Sequence, residues 1–285
     1  MDKQIIQLYD DYTHKPLDRH TFLKRLALLA GGTTAAMALL PMLENNYAVA
    51  QTRSDQNGLF TERVSWQGVG GDMKGYLARP EKPGKYPTVI IVHENRGLNP
   101  HIEDVARRAA IAGFLALAPD ALSILGGTPE NSDEARGLFA KLNNEDNTTN
   151  FAAAVPYLQQ RADSNGNVGC VGFCWGGAMA NQLAVHVPSL KAAVPFYGRQ
   201  PEEADVPRIK AALQLHYAGL DDRINAGISA YEAALKKSGT SYELFIYKDV
   251  DHAFHNDTSA ARYNETAAKL AWGRTIDFLH KHLDA

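Results

Sequence analysis

The stretch Gly172-Phe173-Cys174-Trp175-Gly176-Gly177 constrains this chain more than any other. An apolar run, Val168 to Phe173, precedes it, and a run rich in small residues, Gly176 to Ala184, follows. Together they read as a strand, a sharp turn and a helix, with Cys174 on the turn. Gly-x-Cys-x-Gly has the spacing of a nucleophile elbow in which Cys stands in the place of Ser. So tight a turn strains the backbone of its central residue. Side chains two positions to either side would collide, which accounts for glycine at 172 and 176. Helix amides begin directly behind Cys174, so a thiolate there meets the positive end of the helix dipole. The same residues are compatible with a buried cysteine in a Gly-rich turn, so chemistry requires an acid and a histidine farther along.

The chain has 285 residues, within the range of one large α/β domain. Hydrophobic residues make up 45%, enough for a sizeable core and too many for a disordered chain. Charge is nearly balanced, with 29 Lys and Arg against 32 Asp and Glu, and no basic stripe suggests a nucleic-acid partner. Two cysteines, Cys170 and Cys174, cannot make a disulfide scaffold or a four-thiolate zinc site. The pairs His252-x-x-His255 and His280-x-His282 lack a convincing third ligand, so no metal is expected.

Residues 1–50 differ from the rest. Asp18-Arg19-His20-Thr21-Phe22-Leu23-Lys24-Arg25 precedes a mildly apolar stretch, Leu26 to Leu43, and Ala48-Val49-Ala50 has the small-x-small form of a cleavage site. The order resembles a twin-arginine export signal, with His20 where the second arginine belongs. The expectation is an exported, periplasmic protein whose mature chain begins near Gln51. The alternative is a cytoplasmic protein that keeps Asp18 to Leu43 as a helical arm. Gly31, Gly32, Thr33, Thr34 and Pro41 interrupt the run, so a permanent membrane span is not expected.

Residues 51–285 read as one folded domain. Arg63–Gln67 and Gly75–Arg79 form a hairpin about Gly70-Gly71-Asp72. Thr88 to His93 is a continuous run rich in β-branched residues, expected for a strand buried on both faces. Further strands are expected at Phe114–Ala118, Val168–Phe173, Ala192–Phe196, Ala211–Tyr217 and Tyr242–Tyr247. Helices are expected at Ile102–Ala112, Ser132–Leu142, Asn150–Arg161, Ala226–Lys237 and Thr266–Leu283. Alternation of strands and helices implies a mostly parallel sheet with helices on both faces. The polar excursion from Ser123 to Asn150 is a candidate cover for the site.

An acid and a histidine follow in order. Asp221 sits in the turn after the Ala211–Tyr217 strand, and His252 in the loop after the last strand. Asp in such a turn is often a turn former or helix cap, and a loop histidine is often merely solvated. The order nucleophile, Asp, His is nevertheless that of the α/β-hydrolase triad. Each group lies just past the carboxyl end of a strand, where open α/β sheets place their sites. A thiol attacks as thiolate, an imidazole can take and return its proton, and a carboxylate fixes the imidazole tautomer. Asp222 and His255 are close rivals for the two roles. His93, His101 and His216 read as structural or rim residues.

From about Leu59 onward the chain resembles the dienelactone hydrolase family. The matching pieces are His93-Glu94-Asn95-Arg96-Gly97, Ala118-Pro119-Asp120, Gly172 to Gly177, Pro195-Phe196-Tyr197-Gly198, the Asp221 turn and the His252 loop. The resemblance implies an α/β-hydrolase fold and cofactor-free hydrolysis of a small lactone or ester. It implies Cys174 as nucleophile, Asp221 as orienting acid, His252 as base and Glu94 as a helper in thiolate formation. It also implies an oxyanion hole from the backbone amides of Asn95 and Trp175. Known lactonases of the family hold the substrate carboxylate with arginines, one of them shortly after the histidine. That place here reads Phe254-His255-Asn256, and Arg136 is the candidate for the other arginine. The machinery could equally serve another ester or a thioester. A binding protein that kept the fold is the alternative from a different class.

Overall fold

A computed structural model describes residues 1–52 and 58–284. The expected boundary near residue 51 therefore falls beside residues 53–57, which lie outside the described residues. Among the described residues four helices come first: α1 (Lys3–His14), α2 (Arg19–Ala30), α3 (Thr33–Leu43) and α4 (Tyr47–Thr52). Then follow β1 (Leu59–Gly68), β2 (Gly71–Pro80), β3 (Tyr86–Val92), α5 (Pro100–Ile111), β4 (Leu115–Asp120), α6 (Ser132–Phe139), α7 (Asn144–Gln159) and β5 (Ser164–Phe173). The chain ends with α8 (Trp175–His186), β6 (Ala192–Phe196), β7 (Ala212–Ala218), α9 (Asp222–Asn225), α10 (Ile228–Ser238), β8 (Tyr242–Tyr247) and α11 (Glu265–Leu283).

The eight strands form one sheet in the order β1-β2-β4-β3-β5-β6-β7-β8. The β1–β2 and β2–β4 pairs are antiparallel, and every pair from β4 to β8 is parallel. β3 and β5 lie centrally, which explains why Val89 to Val92 are wholly buried and read as an unbroken apolar run. One core lies under α7, α8 and α10, with Phe151, Leu158, Met179, Leu183 and Leu235. The other lies under α5 and α11, with Ile102, Val105, Phe278 and Leu279. This is the expected α/β fold with helices on both faces.

α7 begins at Asn144, earlier than expected. The Asn143 side chain accepts from the amides of Glu145 and Asp146, and those two acids favour the helix N-terminus. The polar residues that looked like loop are the helix start.

The N-terminal helices have a core of their own. Ile5, Leu8, Tyr9 and Tyr12 recur at helical spacing along α1 and pack with Phe22, Leu26, Leu40 and Leu43. Among the described residues no single helix is long and apolar enough to cross a membrane. α2 and α3 qualify by length and composition only as a pair, and they bend by 112° at their junction. The arm lies against the domain at the carboxyl ends of the strands. Ala261 donates its amide to Met42 O at 3.0 Å, Asn46 donates to Thr258 O at 2.8 Å, and the Arg262 guanidinium lies over the Tyr9 ring.

Candidate active site

β5 ends at Phe173, α8 starts at Trp175, and Cys174 between them takes φ 57° and ψ −113°. A non-glycine residue rarely adopts this backbone, and it persists because its surroundings fix it. The Cys174 amide donates to Phe196 O at 3.1 Å, and its carbonyl accepts from the Ala178 amide at 3.1 Å. Glycine is required on both sides. A Cβ at Gly172 would lie 1.8 Å from Gly176 O, and one at Gly176 would lie 2.3 Å from Val92 O. Tyr197 and Ala253, also beside the site, have positive φ of 38° and 65°. Backbone strain thus gathers around Cys174, as it does at functional sites.

The turn after β7 and the loop after β8 are tied together. Gly219 donates to Tyr247 O at 2.8 Å, and Leu220 to Val250 O at 3.0 Å. This brings Asp221 Oδ2 within 2.5 Å of His252 Nδ1. Asp221 Oδ1 also accepts the Ile224 amide and caps α9, so the acid is helix cap and imidazole partner at once. Asp222 is exposed. His255 is buried against Phe173, Phe196 and Trp272, and burial holds it well below the ordinary imidazole pKa. Neither rival stands where Asp221 and His252 stand. His93 is structural: its Nε2 accepts the Ala121 amide at 3.1 Å, and its ring stacks on Trp175. His216 is wholly buried against Tyr247 and Gln214.

Cys174 is 8% exposed and opens onto a cleft of about 860 Å³. Phe139, Trp175, Met179 and Tyr197 give the cleft apolar wall, while Arg199 and Arg223 bring positive charge. Phe139, Asn144, Glu145, Thr148 and Thr149 come from the polar excursion, which therefore forms one wall of the cleft.

The nitrogen hydrogen-bonded to the thiol comes from the arm and belongs to neither His252 nor His255. His14, the last residue of α1, places Nε2 3.2 Å from Cys174 Sγ. Its Nδ1 lies 3.1 Å from Asp10 Oδ1. The His14 and His252 rings meet edge to face, 4.7 Å apart. Burial raises the Cys174 pKa, but His14 and then His252 outweigh it and lower the thiol to about 6. Burial lowers His252, but Cys174 and Asp221 outweigh it and raise the imidazole to about 10. Both shifts run in the direction that favours transfer of the thiol proton to imidazole. Cys170 is buried without such neighbours, and desolvation pushes its thiol up. One donor atom each from His14, Cys174 and His252 lie within 4.8 Å of one another, close enough to surround a thiophilic ion. His280 is engaged elsewhere, with Asp284 and Ala112 O.

Glu94 lies just past β3. It lines a small cavity of about 20 Å³ together with Cys174, His14 and His252. Asn256 Nδ2 donates to Glu94 Oε2 at 2.8 Å, while Asn256 Oδ1 accepts from Thr258. The residue that lacks a charge for the substrate thus has another use, which is to hold this carboxylate. Asn95 carries the adjoining backbone amide, and its side chain donates to Thr13 O at 2.8 Å.

Arg136 is turned away from the expected role in substrate binding. Its guanidinium donates to Tyr12 O and Leu17 O and lies over the Tyr12 ring. Its partners belong to the arm, which the sequence sets apart from the domain. His14 likewise lies in the arm, far in sequence from the thiol it meets. The signal available in sequence was the apolar spacing of Ile5, Leu8, Tyr9 and Tyr12 behind an Asp2 cap, which describes an amphipathic packed helix.

Residues 73–283 match the model of the dienelactone hydrolase family. A protein of Salmonella typhi provisionally named a carboxymethylenebutenolidase is 31% identical over 229 residues, covering 75% of this chain and 84% of the relative. A protein of Methylorubrum extorquens with the same provisional name is 30% identical over 94% of this chain and 96% of its own length, so that match extends into the arm. Among solved structures, a Klebsiella pneumoniae protein provisionally named a dienelactone hydrolase superposes with a TM-score of 0.70 at 27% identity. It covers 79% of this chain and 99% of its own. With the elbow, the sheet order and the family match over residues 73–283 in agreement, this chain belongs to the dienelactone hydrolase family and is an enzyme of hydrolase type.

Proposed function

We propose that the protein is a cysteine-dependent hydrolase of a small lactone or ester, working through Cys174, His252 and Asp221 and a thioester acyl-enzyme. The observation that carries this reading is the Cys174 thiol on the strained elbow beside an imidazole that Asp221 holds at 2.5 Å. The thiolate attacks the carbonyl carbon, and the carbonyl oxygen becomes an oxyanion. Trp175 starts α8, so its amide has no partner within the helix and can donate to that oxyanion together with the Asn95 amide. The intermediate collapses, the C–O bond breaks, and the leaving oxygen takes the proton from imidazolium. A water then gives a proton to the neutral imidazole as its oxygen attacks the thioester. The thiolate departs and the carboxylic acid is released. The test is a hydrolysis screen of short p-nitrophenyl esters and small lactones, with wild type beside Cys174→Ala. Turnover by wild type alone supports the reading, and equal turnover by both proteins sinks it.

Glu94 is proposed to relay the thiol proton during acylation. An anion this close would by itself disfavour a thiolate, so its benefit must come through proton transfer. Glu94→Gln keeps an acceptor for Asn256 and so spares the packing. Its pre-steady-state burst with p-nitrophenyl acetate should slow while its thermal unfolding changes little. An unchanged burst would leave Glu94 a structural carboxylate.

We further propose that residues 1–52 stay attached as an arm, the alternative to export raised by the sequence. Support comes from the apolar core of the arm, its bonds to Thr258 and Ala261, and the contact of His14 with Cys174. N-terminal sequencing of protein fractionated from its host should find intact Met1 in the cytoplasmic fraction. A mature chain beginning near Gln51 outside the cytoplasm would instead establish export.

A further inference from the structure

We propose that His14 is a further catalytic residue, a second imidazole that shares the Cys174 proton with His252, so that the arm completes the active site. This rests on the reading of Cys174 as nucleophile.

The geometry repeats a known logic from the opposite side. Asp10 and His14 are one helical turn apart on α1 and therefore share a face. The Asp10 carboxylate lies 3.1 Å from His14 Nδ1, and His14 Nε2 lies 3.2 Å from Sγ. A carboxylate thus stands behind this imidazole as Asp221 stands behind His252, although His14 Nδ1 is also held by the Asp10 carbonyl at 2.9 Å and Thr13 Oγ1 at 3.0 Å. Among the described residues the buried His252 Nε2 has no hydrogen-bond partner, while the thiol bonds to His14. The arm is fixed there by bonds to separate parts of the domain. Asn95 donates to Thr13 O at 2.8 Å, Arg136 donates to Tyr12 O, and Tyr12 Oη donates to Asp133 Oδ1 at 2.5 Å.

The charged groups around His14 come from every element packed on it. Asp10 lies on its own helix, Cys174 on the elbow and Glu94 past β3. His252 comes from the loop after β8 and Arg262 from the segment before α11. Arg223 of α9 approaches Asp10 to 3.9 Å. Burial lowers the His14 pKa, but Cys174 and then Asp10 outweigh it and raise it.

Two imidazoles allow a division of labour. The S–H bond breaks, its proton passes to one imidazole, and the electron pair stays on sulfur. The second imidazole remains neutral. After acylation the protonated ring gives its proton to the leaving oxygen. Either neutral ring can then take a proton from the water that opens the thioester. No other reactant is needed.

The test compares wild type, His14→Ala, His14→Gln and Cys174→Ala as full chains with p-nitrophenyl acetate. At pH 6 both His14 variants should lose about fivefold in kcat/KM, the fall in thiolate fraction when a thiol pKa near 6 rises by about one unit. The midpoint of thiolate absorbance at 240 nm should rise by a similar amount, and added imidazole should restore part of the His14→Ala activity. An unchanged thiolate midpoint with an unchanged pH profile overturns the proposal. So does a loss without any shift of the midpoint, which indicates mere packing. Faster turnover by His14→Ala overturns it as well, because the arm would then be a plug. Turnover retained by Cys174→Ala is a separate failure, that of the nucleophile itself.

Discussion

Cys174→Ala should reduce ester turnover to the background rate while the protein stays folded. Loss of a nucleophile removes the covalent route as a whole, and loss of the nucleophile alone costs about 10⁶-fold in a well-studied hydrolase. The fold should survive because the elbow is held by its backbone. The Cys174 amide bonds to Phe196 O and its carbonyl to the Ala178 amide, and neither bond involves the thiol. Alanine meets the same positive φ that cysteine already tolerates, so no new strain is added. The side chain borders the open cleft, so losing one sulfur leaves no sealed cavity. Steady-state assays at matched purity, beside circular dichroism and thermal unfolding, check both halves. A folded variant with comparable turnover would remove Cys174 from the chemistry.

The second large effect belongs to the pair behind the thiol. His252→Ala and Asp221→Asn should each reduce kcat by about 10²- to 10⁴-fold, the range for a lost general base or a misdirected imidazole tautomer. The two variants should differ in pH dependence. In the wild type, activity should rise as the thiol ionises near pH 6 and fall as the His252 site loses its proton near pH 10. Both limits belong to the coupled cluster. Asp221 stabilises imidazolium, so Asp221→Asn should move the alkaline limit to lower pH. If Asp222→Asn or His255→Ala were the damaging changes instead, the acid and base would be misassigned. The exposed position of Asp222 and the apolar cage of His255 argue against that outcome.

Much of the architecture is legible in the chain because single faces dictate it. Thr88 to Val92 has no polar alternation, and the strand is indeed buried on both sides. Gly172 and Gly176 announce a turn with no room for side chains, and the contacts at 1.8 and 2.3 Å give the reason. Asp221 and His252 could be singled out by order and by strand ends, since a parallel sheet gathers those ends on one side. What a linear reading misses is pairing across the sequence. Nothing local to Asn256 indicates that it holds Glu94, 162 residues away. Nothing local to Arg136 indicates that backbone of the arm satisfies it. His14 is 160 residues from Cys174 and lies among features that resemble an export leader. Its place is set by the packing of α1, and only the apolar spacing on that helix hints at such packing.

The central claim is that an acyl group passes through the sulfur of Cys174. Mixing the enzyme with excess p-nitrophenyl acetate, quenching in acid within the burst and measuring intact mass tests it directly, with fragmentation to separate Cys174 from Cys170. His252→Ala should lengthen the life of the adduct by slowing attack of water. The expected result is one acetyl group per chain, located on Cys174 and absent from Cys174→Ala. A turning-over enzyme with no adduct, or with the acetyl group on another residue, would contradict it.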